Sequence, residues 1–454
     1  MTLWTARELR QATGGAGGAD AAGVSIDTRT LAPGDLFVAL VGENGDGHRF
    51  VADALARGAA CAMVHADVAG VADTARQLRV ADTLAGLADL GRFARVRCTG
   101  KVAAVTGSVG KTTAKAMLAR ILAARGTTHA AVASYNNQWG LPLTLARMAP
   151  DAAYAVVEIG MNHPGEIAPL ARLARPHVAL ITAIAPVHIG HLGSLEAIAI
   201  EKGAVFAGLE PGGIAVIPAE APHVERLREA AGAHTVLGFG TGAGADAVLL
   251  GADSTPDAVR LRARVLGTAV ETRLAAPGAH MAMDATAAML AAAALGVAPG
   301  DAAAALAGFA PVRRRGERRT LRVADGEALL LDESYNASAA SVRAALAVLA
   351  LQRAQRRVAV LGDMLELGEA GPAEHLSLVA DIAHCADRLF ACGPLMRPVY
   401  EAVPARLRGA WAEDAAALAP AVAADLRAGD AVLVKGSLGS RMARIVAALE
   451  ETAT

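Results

Sequence analysis

The chain has 454 residues, which as a soft prior is enough for about three domains, and its net charge of −1 excludes a general electrostatic case for nucleic acid or an anionic membrane. Hydrophobic residues make up 54% and aromatics only 3%, so the cores are expected to be aliphatic, built from Ala, Leu and Val. A charged N-terminus unlike a signal peptide, no uncharged apolar run of about 18 residues to span a bilayer, and four scattered cysteines without a CxxC pair point to a cytoplasmic protein with idle thiols.

Residues 1–98 read as a small α/β module. Asp35-Leu-Phe-Val-Ala-Leu is a strand leading into a polar glycine loop, Gly42 to His48; a helix from Phe50 to Arg57 and a strand from Ala60 to Val64 follow. Residues 99–312 form a central domain. It opens on an apolar strand (Val102 to Val105), then Thr106-Gly-Ser-Val-Gly-Lys-Thr-Thr113, then a helical pattern from Ala114 to Arg125. Strand, glycine loop, lysine, hydroxyl and helix make a P-loop: glycines let backbone N–H groups approach phosphate oxygens, Lys111 reaches the β- and γ-phosphates, and the Thr112 hydroxyl sits on magnesium. The glycine loop is shorter than that of ordinary P-loop kinases and ATPases.

Next comes a loop with adjacent amides, Asn136-Asn137, which by itself reads as a turn more readily than as a phosphate contact. Ala153 to Gly160 and His177 to Ile184 are continuous apolar strands, the signature of a parallel sheet covered on both faces. Ligands bind at the carboxyl ends of such strands, so the P-loop, Glu158 and His188 can converge. A buried Glu158 needs a partner, either magnesium or a salt bridge. His188 and His191 could be packed loop histidines, and Lys202 in isolation reads as a solvated side chain. Residues 313–454 open on a basic cluster, Arg313 to Arg319. Strands at 328–331, 358–361, 388–391 and 431–434 then give a Rossmann-like layout without a GxGxxG fingerprint.

Taken in order, these stretches resemble the Mur ligase family of peptidoglycan synthesis. The resemblance is carried by Ser25-Ile-Asp-Thr-Arg29, Asp46-Gly-His48, Thr106 to Thr113 and Asn136-Asn137 with Gly140-Leu-Pro-Leu-Thr-Leu. Glu158-Ile-Gly-Met-Asn-His-Pro, His188 with Lys202, Asp332-Glu-Ser-Tyr-Asn-Ala, Gly362-Asp-Met-Leu-Glu-Leu-Gly368 and Lys435-Gly-Ser437 complete it. It implies an α/β fold of three domains: a small N-terminal domain, a central P-loop domain with a parallel sheet, and a C-terminal Rossmann-like domain.

The resemblance further implies an ATP- and magnesium-dependent amide ligase acting as a cytoplasmic monomer. The pattern is nearest to members that join D-alanyl-D-alanine to UDP-N-acetylmuramoyl-tripeptide through an acyl phosphate. Ser25, Arg29, Asp46, Gly47 and His48 would bind the UDP-sugar, with Lys435 and Ser437 aiding the dipeptide. Thr106, Gly107, Ser108, Val109, Gly110, Lys111, Thr112, Thr113, Asn136, Asn137, His280, Arg318, Glu333 and Asn336 would bind the nucleotide. Thr112, Glu158, His188 and a carbamylated Lys202 would hold magnesium, and Lys111, Lys202 and His188 would be catalytic. Where the family commonly shows Gly-x-His-Asn-x-x-Asn, this chain has Gly278-Ala-His-Met-Ala-Met-Asp284, so of the two positions expected near adenine Asp284 can still accept from its amino group while Met281 offers only packing. The alternatives are the related ligase that adds the third amino acid, whose Asp-Asn-Pro-Arg signature this chain lacks, and a P-loop ATPase or nucleotide-dependent regulator.

Overall fold

A computed structural model describes residues 2–452 apart from 43–44, 67, 69–70, 72, 132–133 and 324. The described chain folds around three main sheets, each with its own apolar core. The first has five strands, in the order Ala16–Gly17, Gln77–Arg79, Cys61–Val64, Asp35–Val38 and Gly23–Ser25. The expected helix after the glycine loop is a 3-10 turn, Gly47–Phe50, continuing into Val51–Ala56. Part of that glycine loop, residues 43–44, lies outside the described residues. Helix Thr83–Arg97, capped by the Asp82 side chain, closes this core over Trp4, Leu36 and Leu78.

The central sheet has nine strands. Thr128–Ala130, Tyr154–Glu158, Lys101–Thr106, Val178–Ile181, Ile214–Pro218 and Thr235–Gly240 do not follow one another in sequence order across it, and all pair in parallel. Lys101–Thr106 lies inside the sheet with helix Lys111–Ala123 behind it. Met117, Leu118, Ile121 and Leu122 of that helix are fully buried, and each stabilises the packing by about 1.5–3 kcal/mol. The alanine-rich helix Ala279–Ala294 packs against the same face, and no described helix is long and apolar enough to cross a membrane.

One departure from the sequence reading is an antiparallel extension, Ala247–Ser254, Val259–Val265 and Thr268–Leu274. Val-Arg-Leu-Arg-Ala-Arg-Val alternates buried and exposed side chains, because this end of the sheet is covered on one face only.

The third sheet has six strands, in the order Glu317–Val323, Gly326–Glu333, Asp430–Lys435, Arg356–Gly362, Arg388–Cys392 and Arg408–Ala412. All pair in parallel except the Glu317–Val323 hairpin, and the edge strand Arg408–Ala412 was not foreseen. All four cysteines are free and buried.

Candidate active site

The phosphate loop joins strand Lys101–Thr106 to helix Lys111–Ala123. Gly107 and Gly110 hold φ of 145° and 83°. A Cβ on Gly107 would lie 2.0 Å from Thr182 Oγ1, and one on Gly110 would lie 2.5 Å from Asp284 Oδ1, so glycine alone permits this path. The loop is pinned to the segment after the next strand. Ser108 N–H donates to Ala183 O at 2.8 Å, the Ser108 hydroxyl donates to Ala185 O at 2.9 Å, and Thr182 Oγ1 donates to Val109 O at 2.5 Å. Lys111 Nζ folds over it, donating to Gly107 O at 2.7 Å and Ser108 O at 3.3 Å. Burial brings the Lys111 ammonium down to about 8; Glu158 opposes that fall and Arg315 adds to it. Thr113 is buried beside it, and the buried Thr106 Oγ1 has no hydrogen-bond partner among the described residues.

Glu158 ends the adjacent strand and stands at the loop's mouth. Its carboxylate accepts from Thr112 Oγ1 at 2.9 Å and from Asn136 Nδ2 at 2.9 Å, and Lys115 Nζ lies 3.2 Å away. Burial is the largest influence and acts to raise this carboxyl. Lys115, Lys111 and Arg315, with the Asn136 amide, outweigh it and hold the group below the usual range. The salt-bridge reading of Glu158 is therefore met by Lys115, which the sequence reading did not single out. Of the paired amides, Asn136 joins the cluster, whereas Asn137 serves a turn, its Oδ1 accepting from Trp139 N and Gly140 N. Arg315 was also missed. It donates to Ser134 Oγ at 3.1 Å, stacks over Tyr335 at 4.1 Å and acts electrostatically on both Lys111 and Glu158.

Lys202 corrects the solvated reading: it is 1% exposed. Burial drives its ammonium well below the lysine range, Lys111 adds repulsion and Glu201 opposes. The Glu201 carboxylate is engaged elsewhere, accepting from Gly165 N at 2.8 Å and Ile167 N at 2.9 Å at the start of helix Ile167–Ala174. His188 stands at φ 59°, and its Nδ1 contacts Glu366 Oε2 of the third domain. His191 instead lies beside His163, ring to ring at 4.9 Å.

A narrow, mainly apolar slot opens between Pro277, His280, Met281, Arg318, Glu333 and Val348. It unites three of the expected nucleotide residues, His280, Arg318 and Glu333. Asp284 is not among its lining residues; its carboxyl lies against Gly110, and burial raises it to about 8. Asn336 spends its side chain on Ala337 N, while its carbonyl accepts from Lys435 Nζ at 2.9 Å. Lys435 also reaches Glu333 at 3.3 Å, and Ser437 Oγ accepts from Leu365 N at 2.9 Å. Lys435 thus sits against Glu333 of the slot and Ser437 braces a loop. A separate cavity of about 310 Å³ at the carboxyl ends of the third sheet is lined by Asp363, Leu365, Pro394, Glu413, Arg441 and Arg444.

In the first domain Ser25 Oγ donates to Asp27 O at 3.0 Å, and Asp27 pairs with the exposed Arg29 at 2.6 Å. Asp46 accepts from His48 N at 2.8 Å, and the buried His48 ring meets His65 edge-on at 4.4 Å. A Cβ on Gly47 would lie 2.7 Å from Leu40 O. The Ser134–Arg147 segment links this domain to the phosphate loop: Ser134 Oγ lies 3.3 Å from Thr112 Oγ1, and Arg147 Nε donates to Val24 O at 2.6 Å.

These groups fit a nucleotide with magnesium. The glycine cradle and helix N-terminus suit phosphate, and Thr112 and Glu158 are hard oxygen donors. Among the described residues no cluster of three or more His, Cys, Asp or Glu side chains is placed to hold a metal. Magnesium suits such a site, because it keeps phosphate and water ligands beside one or two carboxylates.

Residues 20–95 match the Mur ligase family catalytic domain, residues 105–292 the Mur ligase middle domain, and residues 315–438 the Mur ligase glutamate ligase domain. The chain is 35% identical over 440 residues to the UDP-N-acetylmuramoyl-tripeptide–D-alanyl-D-alanine ligase of Escherichia coli K12, covering 95% of this chain and 94% of that one. A crystal structure of MurF from Acinetobacter baumannii superposes with a TM-score of 0.86 at 32% identity, over 99% of both chains. MurF from Thermotoga maritima in complex with ADP gives 0.77 at 25% identity, over 95% of this chain and 97% of that one.

Proposed function

The chain belongs to the Mur ligase family, and we propose that it joins D-alanyl-D-alanine to UDP-N-acetylmuramoyl-tripeptide with cleavage of ATP. The observation that carries this reading is the cluster at the loop's mouth. Thr112, Asn136 and Glu158 meet beside Lys111, and Arg315 reaches in from the third domain. That is a phosphoryl-transfer site completed by the acceptor's domain, within a likeness to dipeptide-adding ligases that spans nearly the whole chain.

A carboxylate is a poor electrophile, so the γ-phosphoryl group moves first to the tripeptide's terminal carboxylate. The dipeptide amine then attacks the acyl phosphate, forming the amide and releasing phosphate. Lys111 and Arg315 offset charge on the transferring group, and helix Lys111–Ala123 presents its N-terminus to the phosphates. Thr112 and Glu158 would hold magnesium, which when bound neutralises phosphate charge; His188 and Lys202 would complete its surroundings. Lys202 supports carbamylation: its buried amine favours the neutral form that adds carbon dioxide, and the carbamate is a carboxylate-like ligand.

Residues 1–98 bind the UDP-sugar in this reading, through Ser25, Arg29 and Asp46 to His48. Residues 99–312 bind ATP, and residues 313–454 bind the dipeptide and the nucleotide's base. His280, Arg318 and Glu333 flank the base with Met281 packing beneath it. The dipeptide fits the 310 Å³ cavity, where Arg441 and Arg444 meet its carboxylate and Leu365 and Pro394 its methyl groups. The four free thiols suit the cytoplasm, and we expect a monomer there.

Mass spectrometry tests the reading. Incubation with ATP, magnesium, UDP-N-acetylmuramoyl-tripeptide and D-alanyl-D-alanine should yield the tripeptide nucleotide extended by the dipeptide less one water. A diamino acid added to UDP-N-acetylmuramoyl-dipeptide instead would establish the related ligase.

A further inference from the structure

The Gly362 to Gly368 loop carries a contact that phosphoryl transfer by itself does not explain. It leaves strand Arg356–Gly362 and is braced at successive residues. The Asp363 carboxylate accepts from Met396 N at 2.8 Å, Met364 N donates to His375 Nε2 at 2.8 Å, and Leu365 N donates to Ser437 Oγ at 2.9 Å. A rigid stem thus presents Glu366 to the central domain.

There Glu366 Oε2 meets His188 Nδ1, and Glu366 O accepts from Gly190 N at 3.1 Å. Both side-chain partners sit at left-handed φ, 66° for Glu366 and 59° for His188, a strained state for non-glycine residues that clusters at functional sites. The backbones interlock through two glycines. A Cβ on Gly190 would lie 2.7 Å from Gly368 N, and one on Gly368 would lie 2.9 Å from Gly190 Cα. No larger residue lets the loops approach so closely.

The hydrogen bond also fixes the imidazole. The contact turns Nδ1 toward the Glu366 carboxyl, so Nε2 is the ring nitrogen left to face the site. A carboxylate behind a ligating histidine sets its ring orientation in this way.

We propose that Glu366 is a positioning residue that reaches across the domain boundary to orient His188, so that the catalytic site is complete only while the loop around Glu366 and Gly368 is seated on the turn formed by His188 and Gly190. This rests on the ligase reading for His188 but adds a coupling between third-domain docking and site assembly.

The test compares Glu366→Ala, Glu366→Gln and Gly190→Ala with the parent, each first shown to unfold at the parent's temperature. Glu366→Ala should lower kcat about 10–100-fold, with the KM for UDP-N-acetylmuramoyl-tripeptide within about twofold of the parent. Glu366→Gln keeps an acceptor oxygen and should recover kcat to within about threefold of the parent. Gly190→Ala should match Glu366→Ala although the carboxylate remains. Small-angle scattering supplies the second readout. With the ATP analogue adenylyl imidodiphosphate, magnesium and the tripeptide nucleotide, the parent should become more compact and Glu366→Ala and Gly190→Ala should not. Parent-like kcat in Glu366→Ala, equal losses in the Ala and Gln variants, or identical compaction in all chains would overturn the proposal. A parent that forms no product would instead overturn the ligase reading, and the scattering comparison would still decide the coupling.

Discussion

Replacing Asp284 with asparagine isolates one buried carboxyl. It lies against Gly110 of the phosphate loop, where burial raises it to about 8, against about 3.9 in an unfolded chain. Between those values the folded chain keeps a proton that the unfolded chain has lost. The stability from this raised group is therefore fully present below about pH 3.9 and is lost as pH rises through about 8, at up to about 1.4 kcal/mol per unit. From pH 6 to pH 8 the ceiling is about 2.7 kcal/mol. The residue keeps some solvent exposure, so about half that, roughly 1–2 kcal/mol, is the expected effect. Glu158, Lys111 and the other titrating groups are common to both chains and cancel in the difference.

Asp284→Asn should thus gain about 1–2 kcal/mol on the parent between pH 6 and pH 8 and no more above pH 9. Urea unfolding followed by circular dichroism at each pH measures it. The nucleotide supplies a second reading: an ionised Asp284 repels triphosphate at the loop, so the variant should bind ATP more tightly than the parent at pH 9 and equally at pH 6. A stability difference that does not change with pH, or one that shrinks as pH rises, would refute the assignment of this carboxyl.

Lys202→Ala should abolish turnover, measured as product formed, and high bicarbonate should not restore it; near-normal turnover would refute its role. Lys115→Met removes the nearest cation from buried Glu158 and should cost about 3–5 kcal/mol in unfolding free energy. Pairing it with Glu158→Gln should recover part of that loss. Arg441→Ala should raise the KM for D-alanyl-D-alanine about tenfold while leaving that for ATP unchanged in steady-state kinetics.

Much of this was legible in the chain. Continuous apolar strands, the glycine loop and Glu158 at a strand end are local patterns, and each stands where periodicity and motif placed it. The antiparallel extension was readable in Val259–Val265, whose alternation is the strand signature of a sheet exposed on one face. What could not be read was contact between distant segments. Lys115 was one more lysine on a helix until the fold set it 3.2 Å from Glu158. Arg315 is one of five arginines between Arg313 and Arg319, and nothing local said which would turn inward. The Lys202 side chain looked solvated because its covering elements come from elsewhere in sequence. Asp284 stands in a motif position from which it could accept from adenine, and only the fold shows its carboxyl lying against Gly110 of the phosphate loop.

The most direct measurement of the central claim is phosphate release from ATP with each substrate supplied alone and with both together. The ligase account predicts release only when UDP-N-acetylmuramoyl-tripeptide and D-alanyl-D-alanine are both present, in step with product. Robust release without them would contradict it and identify an ATPase.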